Sequence, residues 1–168
     1  MTAHETWDVL TVPRDLREGV IPFRYDDGGR ATAGLRGPTG DCSTRAIAIA
    51  TGKPYREVYD ALNATALVKS RPMRRTAKTR NHGRARTGVS MTVIREYLAT
   101  LGWRWVPTML VGTGCVVHCD PAQLPQGRLI LRLTKHMTAM IDGVIHDTYN
   151  PSRGGRRCVY GYFIQEGA

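Results

Sequence analysis

The sequence predicts an α+β protein in which helices from the N-terminal half pack on an antiparallel sheet made by the C-terminal half. Apolar residues recur at helical spacing between Cys42 and Leu101, in segments stopped by Gly52 and Gly102. From Arg128 to Ile164 the pattern changes to short β-branched and aromatic runs separated by turn residues. The chain has 168 residues, 42% of them hydrophobic and 23% charged, which is the size and balance of one domain that can bury a core without staples. A single domain over 1–168 is the expectation.

Residues 1–35 read as an irregular lead-in with short extended pieces at Trp7–Val12 and Phe23–Tyr25. The turn signal Asp26-Asp27-Gly28-Gly29 and a second extended piece, Arg30–Leu35, predict a hairpin there. The first helix starts at Cys42, behind the turn-rich Gly37-Pro38-Thr39-Gly40-Asp41, and ends at Thr51, where Gly52 supplies a left-handed cap and Pro54 blocks continuation. Ala46, Ile47, Ile49 and Ala50 form its buried side. A second helix runs from Tyr55 to about Leu67, with Val58, Tyr59, Leu62 and Ala66 on one stripe. A third, Met91–Leu101, has Ser90 as its N-cap. Strands follow at Trp103–Pro107, Arg128–Leu133, His136–Ile141, Val144–Tyr149 and Arg157–Ile164, and Asp120–Pro125 reads as a short capped turn.

The net charge of +10 favours polyanions or acidic surfaces as partners. Residues 69–88 carry eight Lys and Arg, from Lys69 to Arg86, and no acid. The tract reads as a mobile, solvated basic loop, or as a clamp on a polyanion. No apolar run reaches the roughly 20 residues of a membrane helix, and the start, Met1–Asp8, has neither a basic cluster nor an apolar h-region. The expectation is therefore a cytoplasmic protein with no membrane association, whose cysteines, Cys42, Cys115, Cys119 and Cys158, are thiols.

Cys42 carries the chemical interest. The first turn of a helix has free backbone N–H groups and a partial positive charge, which favour a thiolate and provide donors for an oxyanion. A thiol nucleophile then needs a histidine base and a third group to orient it. Of five histidines, His4 lies in the lead-in and His82 in the basic tract, leaving His118, His136 and His146. His136 opens a strand, where a rigid element presents an imidazole at the sheet rim. With Asp142-Gly143 as a two-residue type I′ turn, Ile141 faces Val144, Thr138 faces Asp147 and His136 faces Tyr149. His136, Thr138, Asp147 and Tyr149 then share a face, with Asp147 diagonal to His136 at about 7 Å between Cα atoms. Asp147 is the expected orienting residue and Tyr149 an expected substrate contact. His146 and Asn150 point the other way and are the alternative third residues, His146 if the hairpin bulges at Gly143. Cys115, His118 and Cys119, with Cys158 or His146, carry zinc-ligand atoms, but their spacing is not a common zinc pattern; no metal and no cofactor is expected.

Gly37-Pro38-Thr39-Gly40-Asp41-Cys42-Ser43 and His136–His146 resemble the cysteine motif and histidine hairpin of the papain-like thiol hydrolase superfamily, in particular NlpC-type cell-wall endopeptidases and the peptidase domains of bacteriocin exporters. The pattern through Val144–Arg153 is also similar to small papain-like proteins of actinobacterial phages, which would place the protein in a host cytoplasm. The resemblance covers about 30 of the residues and implies a papain-like fold and hydrolysis of a peptide or amide bond, with a peptide or protein substrate such as a cell-wall peptide. Arg36 stands where papain carries its oxyanion-hole glutamine, so Arg36, Asp41 and the Cys42 N–H are the expected oxyanion and substrate contacts. An acyltransferase with the same three residues, and a non-catalytic papain-like protein that binds nucleic acid or a host factor through Lys69–Arg86, are the alternatives.

Overall fold

The computed structural model describes residues 21–70 and 81–165; the expected strand Trp7–Val12 and the middle of the basic tract lie outside them. The fold is α+β. Three helices, α1 (Cys42–Thr51), α2 (Tyr55–Ser70) and α3 (Met91–Thr100), pack against a sheet of β1 (Phe23–Tyr25), β4 (Trp103–Pro107), β5 (Arg128–Leu133), β6 (His136–Ile141), β7 (Val144–Asp147) and β8 (Gly161–Gln165), while β2 (Gly83–Arg84) and β3 (Gly88–Val89) form a separate hairpin. None of the helices among the described residues is long and apolar enough to cross a membrane.

The large sheet runs β1-β7-β6-β5-β8-β4. Its centre, β5 and β6, is a near-continuous apolar run because both faces are covered. Ile130, Met137 and Ala139 join Ile47, Leu62, Ile94 and Leu98 under the helices. Leu129, Leu131, Leu133, Met140 and Ile145 build a second cluster on the opposite face with Cys119 and Val159. Each fully buried Leu or Ile side chain contributes about 1.5–3 kcal/mol, so this double-sided strand pair anchors the fold. α1 lies against β6 with Ala46, Ile47, Ala48, Ile49 and Ala50 all buried. Its alanines permit close approach to the sheet, and Gly52 ends it at φ 70°. α2 runs three residues beyond the expected end, and its stripe is Tyr55, Val58, Leu62 and Ala66.

The β6–β7 turn is the tight one expected. Asp142 and Gly143 adopt φ 49° and 81°, and the register is Ile141 opposite Val144, Met140 opposite Ile145 and Ala139 opposite His146. β7 stops at Asp147, short of Tyr149, because the Asp147 carboxylate accepts the Thr148 N–H and Asn150 draws Ser152 into an Asx turn.

Several expectations are corrected. Arg30–Leu35 is not a strand: Asp26 and Asp27 accept the N–H groups of Gly28, Gly29 and Ala31 and wind the segment into turns. β1 instead pairs parallel with β7, which makes the sheet mixed. Residues 157–160 pair with 117–119 and 108 before β8 begins, through Cys119 N–H to Arg157 O and Val159 N–H to Val117 O. That pairing brings Cys115 and Cys158 to a Cα separation of 5.7 Å, where they form a disulfide; they are not thiols. The end of the basic tract is not a loose loop. Ala85 is fully buried and accepts from Thr44 Oγ1, Arg86 O accepts from Gly40 N and Thr39 Oγ1, and Lys69 in α2 pairs with Glu96. The hairpin is tight enough that a Cβ on Gly83 would stand 2.1 Å from Gly88 O, so only glycine fits there.

Candidate active site

Cys42 is the first residue of α1 and is half-buried. Asp41 before it does not cap the helix with its side chain. Its carboxylate is instead fully enclosed, accepting from Arg45 Nη1 (2.5 Å) and the Tyr55 hydroxyl (2.5 Å) and pairing with Arg30 Nε (3.1 Å). The first-turn N–H groups thus keep no side-chain acceptor from Asp41, and two arginines with one tyrosine lock the start of the helix. Burial and the neighbouring Asp41 carboxylate push the Tyr55 hydroxyl well above its ordinary 10.0, so it remains a donor.

His136, first residue of β6, is buried beside Cys42. Its Nε2 lies 2.7 Å from Asp147 Oδ2, which leaves Nδ1 for the sulfur. Burial works against ionisation of the Cys42 thiol, but it is outweighed by the hydrogen bond and charge of His136, a hydrogen bond from the Met137 backbone and the Arg45 charge, so the thiol titrates below its ordinary 9.0. For His136, burial disfavours the cation, while the bonds to Asp147 and Cys42 and their charges raise it to about 9. The same contact thus shifts the thiol down and the imidazole up, which favours the thiolate–imidazolium form of the pair. Arg45 also reaches towards Asp147, Nη2 to Oδ1 at 3.9 Å. One guanidinium therefore spans the aspartate before the cysteine and the aspartate behind the histidine.

A cleft of about 410 Å³ opens over this pair, lined by the nucleophile loop, the β2–β3 hairpin, α3 and the β5–β6 turn. Of the residues singled out from the sequence, Cys42, His136 and Tyr149 line it, and Asp147 stands behind His136. The Tyr149 ring lies 5.1 Å from the imidazole. Arg36 and Asp41 do not line it: Arg36 is exposed, with its carbonyl facing Arg86, and Asp41 is sealed by its partners. Neither expected oxyanion contact is therefore among the side chains brought to the cleft. His146 lies 3.5 Å from Asp26 and Asn150 holds Ile21 O and Ser152, so neither alternative third residue reaches His136.

Arg45, Arg132 and Lys135 line the cleft and were not singled out from the sequence. The Arg45 signal was present, since Asp41 and Arg45 stand one helical turn apart. Among the described residues no three His, Cys, Asp or Glu side chains are grouped to hold a metal; Cys115 is in the disulfide, and His118 Nδ1 faces Gln123. No family model matches the chain, and comparison with curated proteins and with solved structures finds no significant match.

Proposed function

We propose that the protein is a papain-like cysteine hydrolase that cleaves a peptide or amide bond through Cys42, His136 and Asp147. The observation that carries this reading is the convergence of Cys42 and His136 on one cleft, with Asp147 at 2.7 Å from the imidazole Nε2 and with the thiol shifted down as the imidazole is shifted up. A structural cysteine and histidine have no need of it. The element order, cysteine at a helix start followed by histidine and aspartate on paired strands, supports the papain-like assignment.

The Cys42 thiolate attacks the substrate carbonyl carbon, and the C–S bond forms as the carbonyl oxygen takes up the electron pair. The free N–H groups at the start of α1, beginning with that of Cys42, stabilise this oxyanion. His136 then passes its Nδ1 proton to the leaving nitrogen and the C–N bond breaks. Water attacks the thioester, His136 takes a proton from it, and the acid leaves as the Cys42 thiolate returns. Asp147 keeps the imidazole in the tautomer and orientation both transfers require.

The test is the reaction of the native protein with iodoacetamide at pH 7, followed by peptide mapping, together with turnover of peptide amides. Cys42 is expected to react much faster than free cysteine, and Cys42→Ala is expected to reduce turnover by at least about 10³-fold. Alkylation of Cys42 no faster than free cysteine sinks the reading.

A further inference from the structure

Building on the thiol-hydrolase reading, we propose that the cleft selects substrates carrying a carboxylate next to the scissile bond, and that Arg132 and Lys135 hold it. Besides His136, three cationic side chains, Arg45, Arg132 and Lys135, line the cleft, and no Asp or Glu does. Arg45 is committed to Asp41 and Asp147. Arg132 and Lys135 make no ion pair among the described residues, where eight such pairs occur in all.

Their placement follows the reacting atoms. Arg132 is the cross-strand partner of Met137, which lines the cleft with Cys42, and Lys135 immediately precedes His136. The turn that carries them is braced: Arg157 Nη2 donates to Thr134 O at 2.7 Å, and Thr134 Oγ1 lies 3.1 Å from the Tyr160 hydroxyl. Lys135 is held at φ 51°, a left-handed conformation that disfavours a side-chain-bearing residue. The opposite wall, with Thr87, Gly88, Val89 and Ile94, carries no charge. The field is therefore one-sided: it draws an anionic group to the β5–β6 turn and leaves the other wall to a small or apolar group. Low-dielectric walls concentrate such a field.

Iodoacetate and iodoacetamide are the matched probes, since both form the same C–S bond at Cys42 with loss of iodide and only one carries a carboxylate. The ratio of their rates at pH 7 and low salt, divided by the same ratio for free cysteine, is expected to be about tenfold above unity and to collapse at 1 M salt. Arg132→Gln with Lys135→Gln is expected to lower it at least about threefold. Lys135→Gly, which suits the positive φ and preserves the turn, should lower it in the same direction. Arg24→Gln with Arg104→Gln, on the two edge strands, removes the same charge and should leave the ratio unchanged. Labelling by both reagents with a ratio indifferent to Arg132 and Lys135, or lowered equally by the edge-strand pair, overturns the carboxylate subsite alone. Failure of both reagents to label Cys42 overturns it together with the hydrolase reading.

Discussion

Cys42 and Cys119 are the two free thiols among the described residues, and they titrate in opposite directions. Burial is the largest influence on each and opposes ionisation in both. Around Cys119 little offsets it: the Arg157 charge helps, but Asp120 and Asp147 repel a thiolate, and the thiol is pushed up to about 12. The Arg157 guanidinium is also engaged by Thr134 O and Pro151 O. Around Cys42 an imidazole, a backbone hydrogen bond and a guanidinium converge, and no carboxylate faces the sulfur directly. The difference teaches that the downward shift of the Cys42 thiol comes from donors delivered by distant segments, β6 above all, and not from exposure.

The largest expected effect therefore follows removal of the imidazole. In His136→Gln the burial of Cys42 is left opposed by Met137 and Arg45 only, and the thiol should rise above its ordinary 9.0. Iodoacetamide alkylation at pH 7 is expected to fall at least about 10²-fold, since each pKa unit is tenfold in thiolate. A pH–rate profile of alkylation that does not move would put the two cysteines on the same footing. If the protein turns over substrate as proposed, the basic limb of the wild-type rate is expected to follow His136 and to lie near pH 9. The sign for stability is the same. The folded-state pKa is raised above the ordinary 6.5, so the stabilisation is complete below about pH 6.5 and is lost as pH rises through about 9. His136→Gln should abolish that dependence in thermal melts.

Arg45 comes next, because it tunes Cys42 by charge alone and holds two carboxylates. Arg45→Gln leaves buried Asp41 to Arg30 and Tyr55 and removes the cation beside Asp147. Breaking one arm of a buried ionic network costs about 3–5 kcal/mol, whereas its charge is the smallest of the influences on the thiol, so alkylation at pH 7 should slow only about threefold. Thermal melts and alkylation rates on the same variant separate the two. A change in reactivity as large as that of His136→Gln would make Arg45 a second determinant of the contrast with Cys119.

How far the molecule was legible in sequence depends on the range of the interaction. The start of α1, the αL cap at Gly52, the Ser90 cap of α3 and the β5, β6 and β4 spans are set by neighbours within a few residues, and they stand where pattern and turn chemistry put them. The Asp142-Gly143 turn fixed the hairpin register, and through it the approach of His136 to Asp147. What was not legible is non-local. β1 on β7, the Cys115–Cys158 disulfide and the docking of Ala85 and Arg86 onto the nucleophile loop each join segments at least 40 residues apart, with no local pattern to announce them. Arg36 does not line the cleft, and a fixed offset from Cys42 says nothing about where an exposed loop turns its side chain.

The smallest expected effect belongs to Cys119, away from the cleft, and it tests the other half of the comparison. Its thiol lies in the cluster of Leu129, Leu131, Leu133 and Val159, on the sheet face opposite the helices. Cys119→Ala removes one buried sulfur, which should cost about 1 kcal/mol in packing, and should leave both the rate and the pH profile of Cys42 alkylation unchanged. With Cys115 and Cys158 paired, the native described region offers iodoacetamide one fast thiol, and Cys119 should react only after denaturation. If Cys119 is labelled natively at a rate near that of Cys42, burial is not what silences it, and the donors around Cys42 lose their standing as the cause of its reactivity.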